Sequence, residues 1–258
     1  MKISDIPNEF GKEYYDEDYF STPQGKKYRG ADGTIHGWSY NNETGEFLGA
    51  GPIAMAWKEV FNPKGLLDVG AGRGTFIAYA RDEAGIEAIG FDYSEWAIGD
   101  GRYGQIGKTI HECKEDWIRL HDATEPWPYE DNSFDLIVAL DFYEHIYEED
   151  LEFVIGEMYR VASKYIFLQI AVSSTIGLRG REEAGYAFKK GEEVPIGLEG
   201  CAVAGHVTVK PESFWYDRLD NENWLLRRDM VNHFCALVDP NIIQNWVLNS
   251  IIIMEMIE

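Results

Sequence analysis

At 258 residues, 45% hydrophobic and 14% aromatic, the chain is long enough for one large α/β core with an insertion and too short for two full domains. Its formal charge of -22 argues against a nucleic-acid partner, because such binding draws on Lys and Arg neutralising phosphates. Cys113, Cys201 and Cys235 stand far apart with no Cys-x-x-Cys pair, which suits idle thiols in a reducing compartment and excludes a disulfide framework or a thiolate metal site.

The first ten residues lack the apolar run of a secretory signal, and the apolar residues 251–254 are too few to span a bilayer. A cytoplasmic location without a membrane partner is the expectation. A local basic patch such as Lys189-Lys190 is small and reads as a solvated loop.

In chain order, residues 1–50 read as an N-terminal arm. Between Tyr14 and Tyr40 tyrosines, glycines and charges crowd together with no helical or alternating period, leaving room for one short helix. Such an arm either covers a ligand cleft or only packs on the surface. Residues 51–258 form the main domain, beginning with a helix over 52–61 that has Pro52 in its first turn and Ile53, Ala56, Trp57 and Val60 on one face.

Leu66, Leu67 and Val69 make a buried first strand, followed by Gly70, Gly72 and Gly74 where the strand turns into a helix over 75–82. Alternating glycines permit positive φ and bring backbone close to a ligand, and the free amides of the helix start suit an anionic group. The spacing is not that of a dinucleotide loop, since the third position of Gly-x-Gly-x-x-Gly falls on Thr75. Nor is it a phosphate loop, because Arg73-Gly74-Thr75 lacks the lysine.

A second strand over 86–91 ends in Asp92-Tyr93, where a carboxylate grips ribose hydroxyls in sheets of this kind. Ser94 caps a short helix. A third strand over 117–123 ends at Asp122-Ala123, and a fourth over 136–140 precedes Asp141-Phe-Tyr-Glu-His145-Ile. A helix over 148–161 carries Leu151, Val154, Ile155, Met158 and Val161 at core spacing. A fifth strand follows over 164–172. From 173 to 209 periodicity dissolves into a long cap insertion, of the length that is usually functional or mobile. Beyond it come a helix over 211–219, a sixth strand over 224–228, a helical stretch over 230–246 and a seventh strand over 250–257. Strands alternating with helices specify a parallel α/β sheet, doubly wound.

The pattern Asp68-x-Gly70-x-Gly72-x-Gly74, the string from Asp131 to Val138, and Asp141 to Ile146 together resemble the class I S-adenosylmethionine-dependent methyltransferases, of small-molecule or sugar type. The resemblance covers about residues 51–257 and departs from the family in the 173–209 excursion and in the helical insert between the last two strands. It implies a Rossmann-like methyltransferase fold, seven strands in the order 3-2-1-4-5-7-6 with the seventh antiparallel. It also implies the cofactor S-adenosylmethionine, leaving as S-adenosylhomocysteine. By that resemblance Asp68, Gly70, Ala71, Gly72 and Gly74 would hold the methionine part. Asp92 would take the ribose, and the adenine would lie between Tyr93 and Asp122-Ala123, with Leu140 and Asp141 beside them.

Methyl transfer from a sulfonium needs in-line orientation, and a base only where the acceptor loses a proton. Candidate catalytic residues are His145, His206 and Asp141. Each has a bland alternative: a backbone-holding Glu144-His145 pair, a structural His206, or a turn-closing Asp141. Asp141 and Glu144 are not joined by a second cluster at ligand spacing, so no metal is expected. The reading is a methyltransferase acting on a small-molecule or glycosyl-type acceptor, with oligomeric state unread. The rivals are a protein or peptide methyltransferase, whose acidic rim would attract a basic peptide, and a non-catalytic partner subunit of the same fold.

Overall fold

Apolar residues that alternate in sequence bury both faces of one sheet. In the computed structural model, which describes residues 6–20, 25–30, 32–38, 49–103, 112–174, 183–240 and 250–257, that sheet contains β1 (Gly65–Val69), β2 (Glu87–Asp92), β3 (Ile118–Leu120), β4 (Phe134–Leu140), β5 (Ala162–Gln169), β6 (Trp224–Leu226) and β7 (Ile251–Met256). Their order is β3-β2-β1-β4-β5-β7-β6. The pairs from β3 to β5 are parallel, and β7 runs antiparallel to both β5 and β6.

Leu66, Leu136, Val138, Phe167 and Ile253 point to one side. There they meet Ile53 and Trp57 of α1 (Ala50–Phe61), Ile77 of α2 (Thr75–Asp82), and a Phe234 supplied by a later helix. Leu67, Ile137, Ala139, Ile166 and Ile252 point the other way, onto Leu151, Val154 and Met158 of α3 (Leu151–Val161) and Trp215 of α4 (Glu212–Leu219). This period of two, filled on both faces, is what a sheet with helices on each side requires. Helix α1 stops at Asn62, which takes the left-handed conformation at φ 44° and donates its amide to the Lys58 carbonyl at 3.0 Å.

Several elements differ from the sequence reading. The third strand is only three residues, because Glu115–Trp117 is a 3-10 turn and the last bond to β2 is the His121 amide donating to the Asp92 carbonyl at 3.0 Å. Strand β5 ends at Gln169 rather than Val172. The next amides are drawn elsewhere, Ala171 N to the Glu144 carboxylate at 3.1 Å and Ser173 N to the Lys210 carbonyl at 3.0 Å. Helix α3 starts at Leu151, not Glu148, since the Asp150 amide closes a turn on the Tyr147 carbonyl. The helix expected over 230–246 is α5 (Arg228–Leu237), which carries Phe234 and stops where Val238 turns extended; residues 241–246 of that expectation lie outside the described residues.

The 173–209 insertion is not structureless where it is described. Tyr186–Ala187 pairs with Thr208–Val209, and Glu199–Val203 forms a helix. Phe10 of the arm, Tyr147, Tyr186, Phe188, Leu198 and Val207 bury one another in a small separate core. The arm itself contains a 3-10 turn (Lys12–Tyr14), a helix (Glu17–Phe20) and a hairpin (Lys26–Arg29 with Ile35–Trp38). Its Phe20 stacks on Trp96, ring centroids 5.8 Å apart.

Candidate functional site

The site begins where β1 stops. The amides of Gly70 and Ala71 both donate to the Phe91 carbonyl, at 3.1 and 3.0 Å, so the chain turns sharply against the end of β2. Gly70 sits at φ 70°, and a Cβ there would lie 2.4 Å from Phe142 Cδ2, a separation no side chain tolerates. Gly74, at φ 73°, caps α2 from behind the loop, against Cys113. Gly72 donates its amide to Asp92 Oδ2 at 2.7 Å, while Asp92 Oδ1 accepts from Ser94 N at 2.7 Å. Ser94 also caps the following helix through Ala97 N.

These ends enclose a cavity of about 300 Å³. Ten of the sequence-assigned residues line it: Asp68, Gly70, Ala71, Gly72, Asp92, Tyr93, Asp122, Ala123, Leu140 and Asp141, together with His145. Gly74 and His206 do not. Asp122 turns part of its carboxylate inward to close a turn, Oδ1 accepting from Thr124 N at 2.9 Å and Thr124 Oγ1 at 2.8 Å. The arm supplies Phe10, Tyr15, Tyr19 and Phe20 to the same cavity. It is held there by Tyr14 Oη donating to the Val203 carbonyl at 2.7 Å and Tyr19 Oη to the Ala204 carbonyl at 3.0 Å. These arm residues thus lie against the cavity as well as on the surface of the main domain.

Three carboxyl groups of the cavity are shifted by burial. Asp68 is buried and its Oδ2 has no hydrogen-bond partner. Burial first, and the nearby Asp92 charge second, push its pKa well above the ordinary range. Burial lifts Asp92 to about 6 despite its three backbone hydrogen bonds. Asp141 is likewise raised by burial to about 6. It is a non-glycine residue at φ 47°, held by its amide donating to the Gln169 carbonyl at 2.9 Å. Such strain persists only where surrounding structure enforces it.

Behind Asp141, Tyr143–His145 forms a 3-10 turn. His145 Nδ1 lies 3.0 Å from the Gly205 carbonyl. A carbonyl only accepts, so Nδ1 carries the proton and Nε2 the lone pair. Burial lowers the His145 pKa to about 4, and His206, its ring centroid 5.0 Å away, is driven well below its ordinary value by burial and by His145. Both imidazoles are neutral near pH 7.

Residues 67–165 match a family described as "Methyltransferase domain". That segment takes in the glycine loop and every strand-end acid of the cavity. Over that segment the chain is similar to a methyltransferase domain. Among solved structures, the plantazolicin methyltransferase BpumL in complex with SAH shares the fold, with a TM-score of 0.51 and 15% identity over 81% of this chain and 82% of that one. The PH0226 protein from Pyrococcus horikoshii OT3 is 22% identical, with a TM-score of 0.35 over 48% of this chain. The alignment spans about half of that protein, 56% of its length. A putative S-adenosyl-L-methionine-dependent methyltransferase from Methanococcus maripaludis is 19% identical at a TM-score of 0.37, over 48% of this chain and 57% of that one. No curated protein matches the chain by sequence.

The cofactor expected of such a domain is S-adenosylmethionine, and the residues present fit it. The molecule brings a sulfonium, an ammonium and ribose hydroxyl donors. The cavity offers the partnerless Asp68 Oδ2, the Asp92 carboxylate and the loop after β1, which has no side chain at Gly70 or Gly72. Among the described residues no helix is long and apolar enough to cross a membrane.

Sequence reasoning missed His121, Thr124 and Tyr147, which line the cavity from turns with no periodic signal. It also took Lys190 for a solvated residue. In the fold Lys190 reaches the cavity and pairs with Asp150 at 2.7 Å.

Proposed function

We propose that this protein transfers a methyl group from S-adenosylmethionine to a small-molecule or glycosyl-type acceptor. The observation that carries the reading is the cover over the strand ends. Tyr15, Tyr19 and Phe20 of the arm line the cavity, and arm and insertion are tied together by the Tyr14 and Tyr19 hydroxyls. An acceptor has to fit beneath that cover, which favours a compact molecule over a folded protein. The chain's net charge of -22 disfavours RNA and DNA as acceptors.

Bound S-adenosylmethionine supplies a methyl group already activated for in-line displacement. The chain's part is to hold, orient and exclude water. Asp92 would accept from the ribose hydroxyls, and Asp68 and Asp141 would face the cationic portion, whose positive charge favours their ionised forms against burial. Of the three catalytic candidates, Asp141 lines the cavity, and burial raises its pKa from the ordinary carboxylate value toward working pH, which suits it to take a proton. His145, at about 4, is a weak base. His206 stands behind it, out of the cavity.

The test uses methyl-labelled S-adenosylmethionine with a cell extract split by mass. Label in the low-mass fraction supports a small acceptor. Label confined to protein overturns it.

A further inference from the structure

We propose that Glu144, His145 and His206 form a binding site for one divalent transition cation, open toward the methyl-donor cavity on its His145 side. Each residue offers a ligand atom, and the three atoms lie within 4.8 Å of one another. A cation bound at about 2.0–2.2 Å to each ligand draws neighbouring donors to within roughly 3.5 Å, so the side chains contract modestly on loading.

Three further observations mark this cluster as built. Glu144 is fully buried, and its Oε2 has no hydrogen-bond partner although Oε1 accepts from Ala171 N at 3.1 Å. A buried carboxylate oxygen left without a donor is costly unless a cation or donor completes it. The His145 ring is oriented from behind by the Gly205 carbonyl at 3.0 Å, the outer contact that fixes a ligating imidazole with its other nitrogen free to bind. The backbone on either side of His206 is fastened to the same turn, Val207 N donating to the Glu144 carbonyl at 2.8 Å. Two loops about 60 residues apart are thus held at fixed distance from each other.

The donor set decides the ligand class. Two imidazoles and one carboxylate favour zinc(II), iron(II) or manganese(II) over calcium or magnesium, and three protein ligands leave a coordination position open. His145 lines the cavity and Asp141 stands next to it, so that open position faces the space where the acceptor sits. An oxygen of the acceptor is the group it would take. This last role rests on the methyl-transfer reading; the cation site does not.

The test is titration of chelator-stripped full-length protein with manganese(II) alone, followed by loss of the free-ion paramagnetic signal, with zinc(II) as competitor. One cation per chain is expected, with affinity weakened about tenfold or more in His206→Ala and in Glu144→Gln. His206 is partly exposed and Glu144→Gln keeps the shape, and a melting curve for each variant identifies a folding loss. S-adenosylhomocysteine affinity, measured in the same samples without metal, stays within about twofold of wild type in His206→Ala, whose side chain is outside the cavity. No manganese or zinc binding at millimolar cation overturns the site, as does binding that both folded variants leave unchanged. Failure of S-adenosylhomocysteine to bind wild type would strike the methyl-donor reading instead.

Discussion

Gly72 donates its amide to Asp92 Oδ2 at 2.7 Å, which ties the loop after β1 to the acid after β2. The two motifs that define the cofactor end of the cavity are therefore one unit. Asp92→Asn removes the charge and sets an amide donor against another donor on one side or the other. Hydrogen bonds to charged groups contribute about 1.5–3 kcal/mol, so S-adenosylhomocysteine affinity should fall roughly tenfold to a hundredfold. Calorimetry reads this directly, and an unchanged Kd would remove Asp92 from the site.

Gly70 and Gly156 make a matched pair. A methyl group at Gly70 meets Phe142 Cδ2 at 2.4 Å in a left-handed backbone, whereas nothing lies within 4 Å of one at Gly156, inside α3. Gly70→Ala should lose about 1–3 kcal/mol of stability and its ligand binding. Gly156→Ala should gain about 0.5–1 kcal/mol from the reduced freedom of the unfolded helix. Thermal unfolding of the two variants checks both signs.

The pKa of Asp92, raised by burial to about 6, gives ligand binding a pH dependence. A ligand donating hydrogen bonds and carrying positive charge holds the carboxylate ionised, so the complex binds fewer protons than the free protein. Affinity should be flat above about pH 7 and should weaken as pH falls through 6, approaching tenfold per unit for one proton. His145, at about 4, stays neutral through that window. A titration of Kd against pH that shows no loss below 6 would contradict the assignment.

The cover over the cavity depends on two tyrosine hydroxyls that donate to the carbonyls of Val203 and Ala204. Replacing both, as Tyr14→Phe with Tyr19→Phe, removes about 2 kcal/mol of attachment at roughly 1 kcal/mol each. Hydrogen exchange of the arm amides should quicken by up to about thirtyfold, with faster release of bound S-adenosylhomocysteine. Unchanged exchange would mean the arm is held by its aromatic packing alone.

How far the fold could be read in advance follows from which signals are local. Leu66 beside Leu67, and Leu136 to Ala139, carry the two-faced alternation in their own order, and the glycines after Val69 announce the turn. The strand ends then place Asp92, Asp122 and Asp141 together through parallel topology. What sequence did not disclose is non-local or too short to show a period. The Tyr186–Ala187 and Thr208–Val209 ladder is two residues long on each side. The meeting of His145 with His206 depends on contacts to Gly205 and Val207 across about 60 residues of chain. Neither leaves a mark in hydrophobic periodicity. The low pKa of His145 is also a property of packing, set by burial that no local pattern announces.

The most direct test of the cofactor site is a calorimetric titration of the full-length chain with S-adenosylhomocysteine, with S-adenosylmethionine as competitor. One site per chain is expected, with the two ligands displacing each other. No heat of binding at millimolar ligand, from a protein that melts cooperatively, would contradict it.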